Sequence, residues 1–367
     1  MLAPLKKAQV NPMNRLVLAA FAALSSFLPL CENQLFAQPS AEQRQAAIQK
    51  FETLGGQFRN EVDSKTGEKV FNLTFYANKG NMAKDADLKD LVNIQDLTSL
   101  NVDQASDAGL KEVAKLKNLK SLELGSKVTA AGLKELAAMK NLSTLNLTYD
   151  RNLTTAAFRE LAKVEKLATL IAWDANVTDE KIKELVNVKN LSTLDLRKNK
   201  ITGAALADLA KIKTLTSLNL DQNQLTDAGM DELAKITTLT SLTIEQNQVT
   251  DAGMVELGKL KNLTSLGLSK TKVTDVGLKE LKGLDNLSKL LIVGNEISDA
   301  GLKEIANLKN LSELQVGGSK ITDAGIMELA NLKKLSQLEL FGTMVTGTGV
   351  KALRKAQPIR LIGLNNK

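Results

Sequence analysis

The chain has 367 residues, 43% of them hydrophobic and only 3% aromatic, with a formal charge of +7. Histidine is absent, which removes the commonest general base, the Ser-His and Cys-His nucleophile pairs and the commonest zinc ligand. The single cysteine, Cys31, allows neither an intrachain disulfide nor a thiolate cluster, and no Gly-rich phosphate loop is present. These features point away from an enzyme and call for no cofactor and no metal.

In chain order, residues 1–37 read as an export signal. Lys6, Lys7 and Arg15 precede an apolar stretch from Leu16 to Leu30 that Pro29 ends too early to span a bilayer. Leu35-Phe36-Ala37 supplies a cleavage motif, and Met1 or Met13 is the start. Cys31 invites a lipoprotein reading, but Leu30 and Pro29 stand where lipid attachment wants small residues. Cleavage leaves an exported protein, periplasmic or extracellular, with no stable membrane span. Loss of Lys6, Lys7, Arg15 and Glu32 takes the charge from +7 to +5. That is too mild, and too mixed with acids, for a nucleic-acid surface.

Residues 38–96 read as an N-terminal cap and a degenerate first turn. Ala46, Ile48, Phe51 and Leu54 lie on a helical spacing that stops at Gly55-Gly56. Phe58 to Phe75 reads as two strands joined through Asp63-Ser64-Lys65-Thr66-Gly67. A terminal repeat needs a polar outer face over its core edge, which this segment supplies; a short independent module is the other reading.

From residue 97 to 367 the chain is an array. Leu191, Leu215, Leu239, Leu263, Leu287, Leu311 and Leu335 fall 24 residues apart and each opens L-x-x-L-x-[LIV]. Further starts at Leu97, Leu119, Leu142, Leu167 and a degenerate Ile359 make twelve. A fixed period of this size is one supersecondary unit stacked along an axis. In the copy Leu215–Thr238, Leu218 and Leu220 alternate with Ser217, Asn219 and Asp221, the period of a strand with one buried face. Asn223 follows, placed to satisfy backbone groups of neighbouring turns, and Asn199, Asn247 and Asn295 repeat it. Thr226 reads as an N-cap with Asp227 in the first helical turn, and Met230, Leu233 and Ile236 form one apolar stripe. The early copies run 22, 23 and 25 residues, the long one adding a residue near Tyr149-Asp150-Arg151.

The string L-x-x-L-x-L-x-x-N-x-[VIL]-T-D-A-G-[LM]-x-E-L resembles a bacterial leucine-rich repeat, and its TDAGL form is similar to secreted planctomycete-type repeat proteins. The resemblance covers Leu97 onwards. It implies an α/β solenoid: a leucine-rich repeat horseshoe of about twelve repeats, with a concave parallel β-sheet and short convex helices. It implies no single activity.

The outward strand positions form two rows, about 4.8 Å per step, from Asn101 to Glu339 and from Asp103 to Phe341. Most are small and polar. The exceptions are Ile171 with Trp173, Leu291 with Val293, and Phe341, which reads as a shield for the C-terminal edge. Trp173 is the sole tryptophan. It should neighbour Arg197, flanked by Asp195, Asp221 and Glu245, and Trp and Arg are enriched at interface hot spots. In the partner-binding reading, Ile171 and Trp173 supply buried area, Arg197 a forked contact and the acids a preference for a basic partner. In the bland reading, Trp173 fills space left by Ala172 or merely covers its neighbours, and Arg197 pairs with Asp221. The sequons at Asn141, Asn190, Asn262, Asn286 and Asn310 belong to the turn into each strand. The aspartates Asp227, Asp251, Asp275, Asp299 and Asp323 belong to helix starts and need no calcium.

These readings converge on an exported, non-catalytic scaffold that binds a protein partner through its sheet face. A structural or envelope-associated repeat protein is the alternative, followed by a substrate-recognition adaptor resembling the F-box-type repeat proteins.

Overall fold

The computed structural model describes residues 38–62, 67–75 and 83–365. The export-signal reading, Cys31 and turn residues 63–66 lie outside them. One sheet runs in chain order through β1 (Gly56–Val62), β2 (Lys69–Phe75), β3 (Ser99–Val102), β4 (Ser121–Leu124), β5 (Thr144–Asn146), β6 (Thr169–Ile171) and β7 (Thr193–Asp195). It continues through β8 (Ser217–Asn219), β9 (Ser241–Thr243), β10 (Ser265–Gly267), β11 (Lys289–Ile292), β12 (Glu313–Gly317), β13 (Gln337–Phe341) and β14 (Leu361–Asn365). β1 and β2 pair antiparallel. Every later pairing is parallel, because each repeat returns through its short helix before the next strand begins.

The strands β3 to β14 are the twelve repeats. The copies of unequal length keep one register: Leu100 faces Leu122, Leu122 faces Leu145 and Leu145 faces Leu170. The extra and missing residues are therefore taken up in the loops, where no buried face depends on them. Leu215, Leu218, Leu220, Met230, Leu233 and Ile236 of one copy are all buried, within a cluster that runs unbroken from Ala47 to Ile359. Each fully buried leucine contributes about 1.5–3 kcal/mol over exposure. At the N-terminal end the helix Ala41–Thr53, closed by a Ser40–Gln43 capping box, buries Phe51 edge-on to Phe75 at 6.2 Å.

Four side-chain ladders tie repeat to repeat. The buried Asn247 accepts the Leu225 N–H at 3.0 Å and donates to the carbonyls of Leu220 and Ile244, both at 2.9 Å. Asn199 and Asn223 act in the same way. The sequon asparagines form a second ladder: Asn262 and Asn286 donate to the carbonyls of Thr237 and Lys261, one repeat back, at 2.8 and 3.0 Å. Hydroxyls form a third, Thr264 donating to Thr240 O at 2.9 Å and Ser288 to Thr264 O at 3.0 Å.

The fourth ladder gives the aspartates a role beyond the helix dipole. Asp251 accepts the N–H of Thr274, and Asp227 that of Thr250, both at 2.8 Å, each with the hydroxyl as well. The glycine three residues after each cap threonine makes this possible, since a Cβ at Gly277 would collide with Asp251 Oδ1 and one at Gly253 with Asp227 Oδ1.

The copy Leu215–Thr238 departs from its expected helix start. Its helix is only Met230–Leu233 and begins after Gly229, whose φ is +89°. Gly203 stands where an aspartate would reach Thr226, and the chain closes onto it instead: a Cβ on Gly203 would collide with Ala228 O. Thr250, Thr274 and Thr322 cap the helices that follow them as expected. The last strand, β14, pairs with β13 from Gln337–Leu361 to Phe341–Asn365. Phe341 therefore lies one strand inside the C-terminal edge.

Candidate binding surface on the sheet

The outward side chains from β5 to β9 meet in one lane. Beyond the three-residue strands the ladder continues, Tyr149 N–H donating to Trp173 O, Asp174 N–H to Arg197 O and Lys198 N–H to Asp221 O, at 2.8, 3.0 and 2.8 Å. Tyr149, Asp174 and Lys198 all hold left-handed φ values, 65°, 51° and 54°, the turn that swings the chain from the sheet into each loop.

Trp173 sits between two neighbours. The Tyr149 ring is 5.0 Å away at 45°, and the Arg197 guanidinium lies over the indole at 5.1 Å. The three come from consecutive repeats, so Tyr149 and Arg197 approach from opposite sides. Trp173 therefore lies outside the core and does not fill the space beside buried Ala172.

Arg197 does not pair with Asp221. Its Nε and Nη2 reach Asp195 at 3.0 and 2.7 Å, and that bond holds the guanidinium pKa above its usual value. The fork expected to meet a partner is thus occupied, leaving the stacked plane and the outer edge. Asp221 instead accepts the Glu245 N–H at 2.7 Å. Burial pushes the Asp221 carboxyl up; burial and then the Asp221 charge push Glu245 up. Ile171, Trp173, Asp195, Arg197, Asp221 and Glu245 are all half-buried. Leu291 on β11 and Val293 just beyond it are half-buried, well away from this group.

Tyr149 was not legible as part of the site. It occupies the left-handed position of Asp174 and Lys198, one residue past the outward row, and its ring lies against Trp173. The next residue, Asp150, is fully buried and its Oδ2 has no hydrogen-bond partner, while Oδ1 accepts the Asn152 N–H at 3.2 Å. Burial raises its pKa to about 6. Beneath it Lys181, also buried, donates to Asn176 O at 2.7 Å; it occupies a position that is glycine in most copies. The preceding repeat carries Thr155 there instead of aspartate, so a side chain fits. On the loop side Asp174 is held by Arg151 at 2.7 Å and Lys198 at 2.9 Å.

A recess of about 810 Å³ opens beside the stack, lined by Phe75, Asn101, Glu123, Asn146, Tyr149 and Trp173 among others. Among the described residues no group of three His, Cys, Asp or Glu is arranged to hold a metal, and no helix is long and apolar enough to cross a membrane.

Residues 189–210, 211–234, 235–258, 259–282 and 307–330 each match the leucine-rich repeat family model. The array is built of leucine-rich repeats. Among solved structures, this leucine-rich repeat chain is similar to an internalin from Listeria monocytogenes, 21% identical over 91% of this chain and 96% of that one, with a TM-score of 0.54. A second internalin from the same bacterium is 29% identical over 56% and 84% of the two chains, TM-score 0.46. A leucine-rich repeat protein from Leptospira interrogans is 22% identical over 75% and 91%, TM-score 0.34. The first likeness is one of fold. No curated protein matches the sequence.

Proposed function

We propose that this leucine-rich repeat chain is an exported, non-catalytic scaffold of bacterial origin that binds a protein partner through the sheet face, with the Tyr149–Trp173–Arg197 stack at the centre of the contact. The stack itself supports the reading most directly. On a sheet face of mostly small and polar side chains, two large rings and a guanidinium held in place by Asp195 stand together. Preordered aromatic and arginine side chains lose little conformational entropy on binding, which is why they dominate interface energetics. Ile171, Asp195, Asp221 and Glu245 lie half-buried around them.

Affinity capture from the producing organism's envelope and secreted fractions tests this, using the chain from Gln38 beside a Trp173→Ala, Arg197→Ala variant. A protein retained by the first and lost by the second supports the reading. Equal retention removes the stack from it. Sequencing the N-terminus of the secreted form tests export, with Gln38 the expected first residue.

A further inference from the structure

We propose that the recess beside the stack takes a cationic side chain, lysine or arginine, on an extended segment of the partner. The proposal rests on the sheet-face reading and names the chemistry of what binds there.

Charge carries it first. Over β3 to β9 the outward positions include Asp103, Glu123, Asp195, Asp221 and Glu245 against one base, Arg197, in a chain whose formal charge is +7. Arg197 is already committed to Asp195. This face is therefore negative on a positive protein, and it draws a basic segment.

Shape and aromatic geometry place the cation. Arg197 takes one side of Trp173 and Tyr149 the other, so the aromatic surface left over is the outer side of Tyr149, which is 55% exposed. That side borders the recess, where Glu123 on β4 is in register with Asn146 on β5. Gly125 leaves the adjoining position in the lane without a side chain. An ammonium or guanidinium entering there meets a ring and a carboxylate together. The recess volume of about 810 Å³ is ample for such a side chain. A neutral saccharide would use the ring but leave the charge unanswered, and an acidic segment would be repelled.

Trp173, the sole tryptophan, reports on the site directly. Titrating the full chain with hexalysine should change its emission saturably, and the affinity should fall about tenfold or more between about 50 and 500 mM salt. Glu123→Gln and Tyr149→Ala should each weaken binding about three- to fivefold, and Tyr149→Phe should restore the wild-type titration. Glu123 is exposed, so that variant keeps the fold. Hexaglutamate or cellohexaose saturating the signal while hexalysine does not, or a hexalysine titration indifferent to Glu123→Gln, overturns the proposal. If hexalysine fails while capture still depends on Trp173 and Arg197, the stack remains a binding surface for a different chemistry. If both fail, the sheet-face reading falls with it.

Discussion

Asp251 accepts both the N–H and the hydroxyl of Thr274, at 2.8 and 2.7 Å, one repeat further along, and its Oδ1 lies where a side chain on Gly277 would have to go. The aspartate of one repeat and the threonine and glycine of the next are thus three parts of one inter-repeat joint. Asp251→Ala should cost about 1–3 kcal/mol by leaving the Thr274 groups without an acceptor. Gly277→Ala should be costly in the wild type and cheaper once Asp251 is alanine. Urea unfolding of the four proteins of this cycle measures the coupling; additivity within about 0.5 kcal/mol would dissolve the joint.

The asparagine ladders should differ in weight. Asn247 is buried and serves one N–H and two carbonyls that have no water to turn to, so Asn247→Ala should cost about 2–4 kcal/mol. Asn286, which donates to Lys261 O at an exposed turn, should cost about 1 kcal/mol or less when changed to alanine. Equal shifts in the urea midpoint would contradict this ranking.

Asp150 should make stability depend on pH. Its folded pKa of about 6 lies above the ordinary 3.8, so the native state takes up the proton first as pH falls. The cost of the buried charge is present in full above about pH 6 and gone below about pH 4; roughly two pKa units correspond to an order of 3 kcal/mol. Asp150→Asn should therefore be more stable than wild type at pH 8 and no more stable at pH 4, by thermal unfolding. A difference independent of pH would place the cost elsewhere.

The fold was legible because a 24-residue period leaves only one way to stack its strands, and the register of Leu145 with Leu170 shows that even the irregular copies obey it. Trp173 and Arg197 were legible as lateral neighbours for the same reason. The fourth ladder was not, since a helix dipole already accounts locally for an aspartate after threonine, and its true partner lies 23 residues away. Nor was the late helix at Met230, which follows from a missing side chain at Gly203 in the previous copy. Tyr149 escaped notice because it lies one residue past the outward rows, at the left-handed turn position, and the choice of Asp195 over Asp221 by Arg197 is a matter of rotamer rather than of spacing.

Arg197 should order Trp173 more than it stabilises the fold. Its ion pair with Asp195 is partly exposed and should contribute within about 1 kcal/mol. Arg197→Ala should leave the melting temperature nearly unchanged and make Trp173 more readily quenched by acrylamide. A large loss of stability with unchanged quenching would reverse that assignment.

The most direct measurement is site-specific photo-crosslinking in the producing organism, with the crosslinking residue placed at Thr148 beside the stack, at Gln315 further along the same face, and at Lys303 on a helix. The sheet-face account predicts one discrete adduct from Thr148 that Trp173→Ala abolishes, and little from Gln315 or Lys303. The same adduct from Lys303, or one from Thr148 that survives the loss of Trp173, would contradict it.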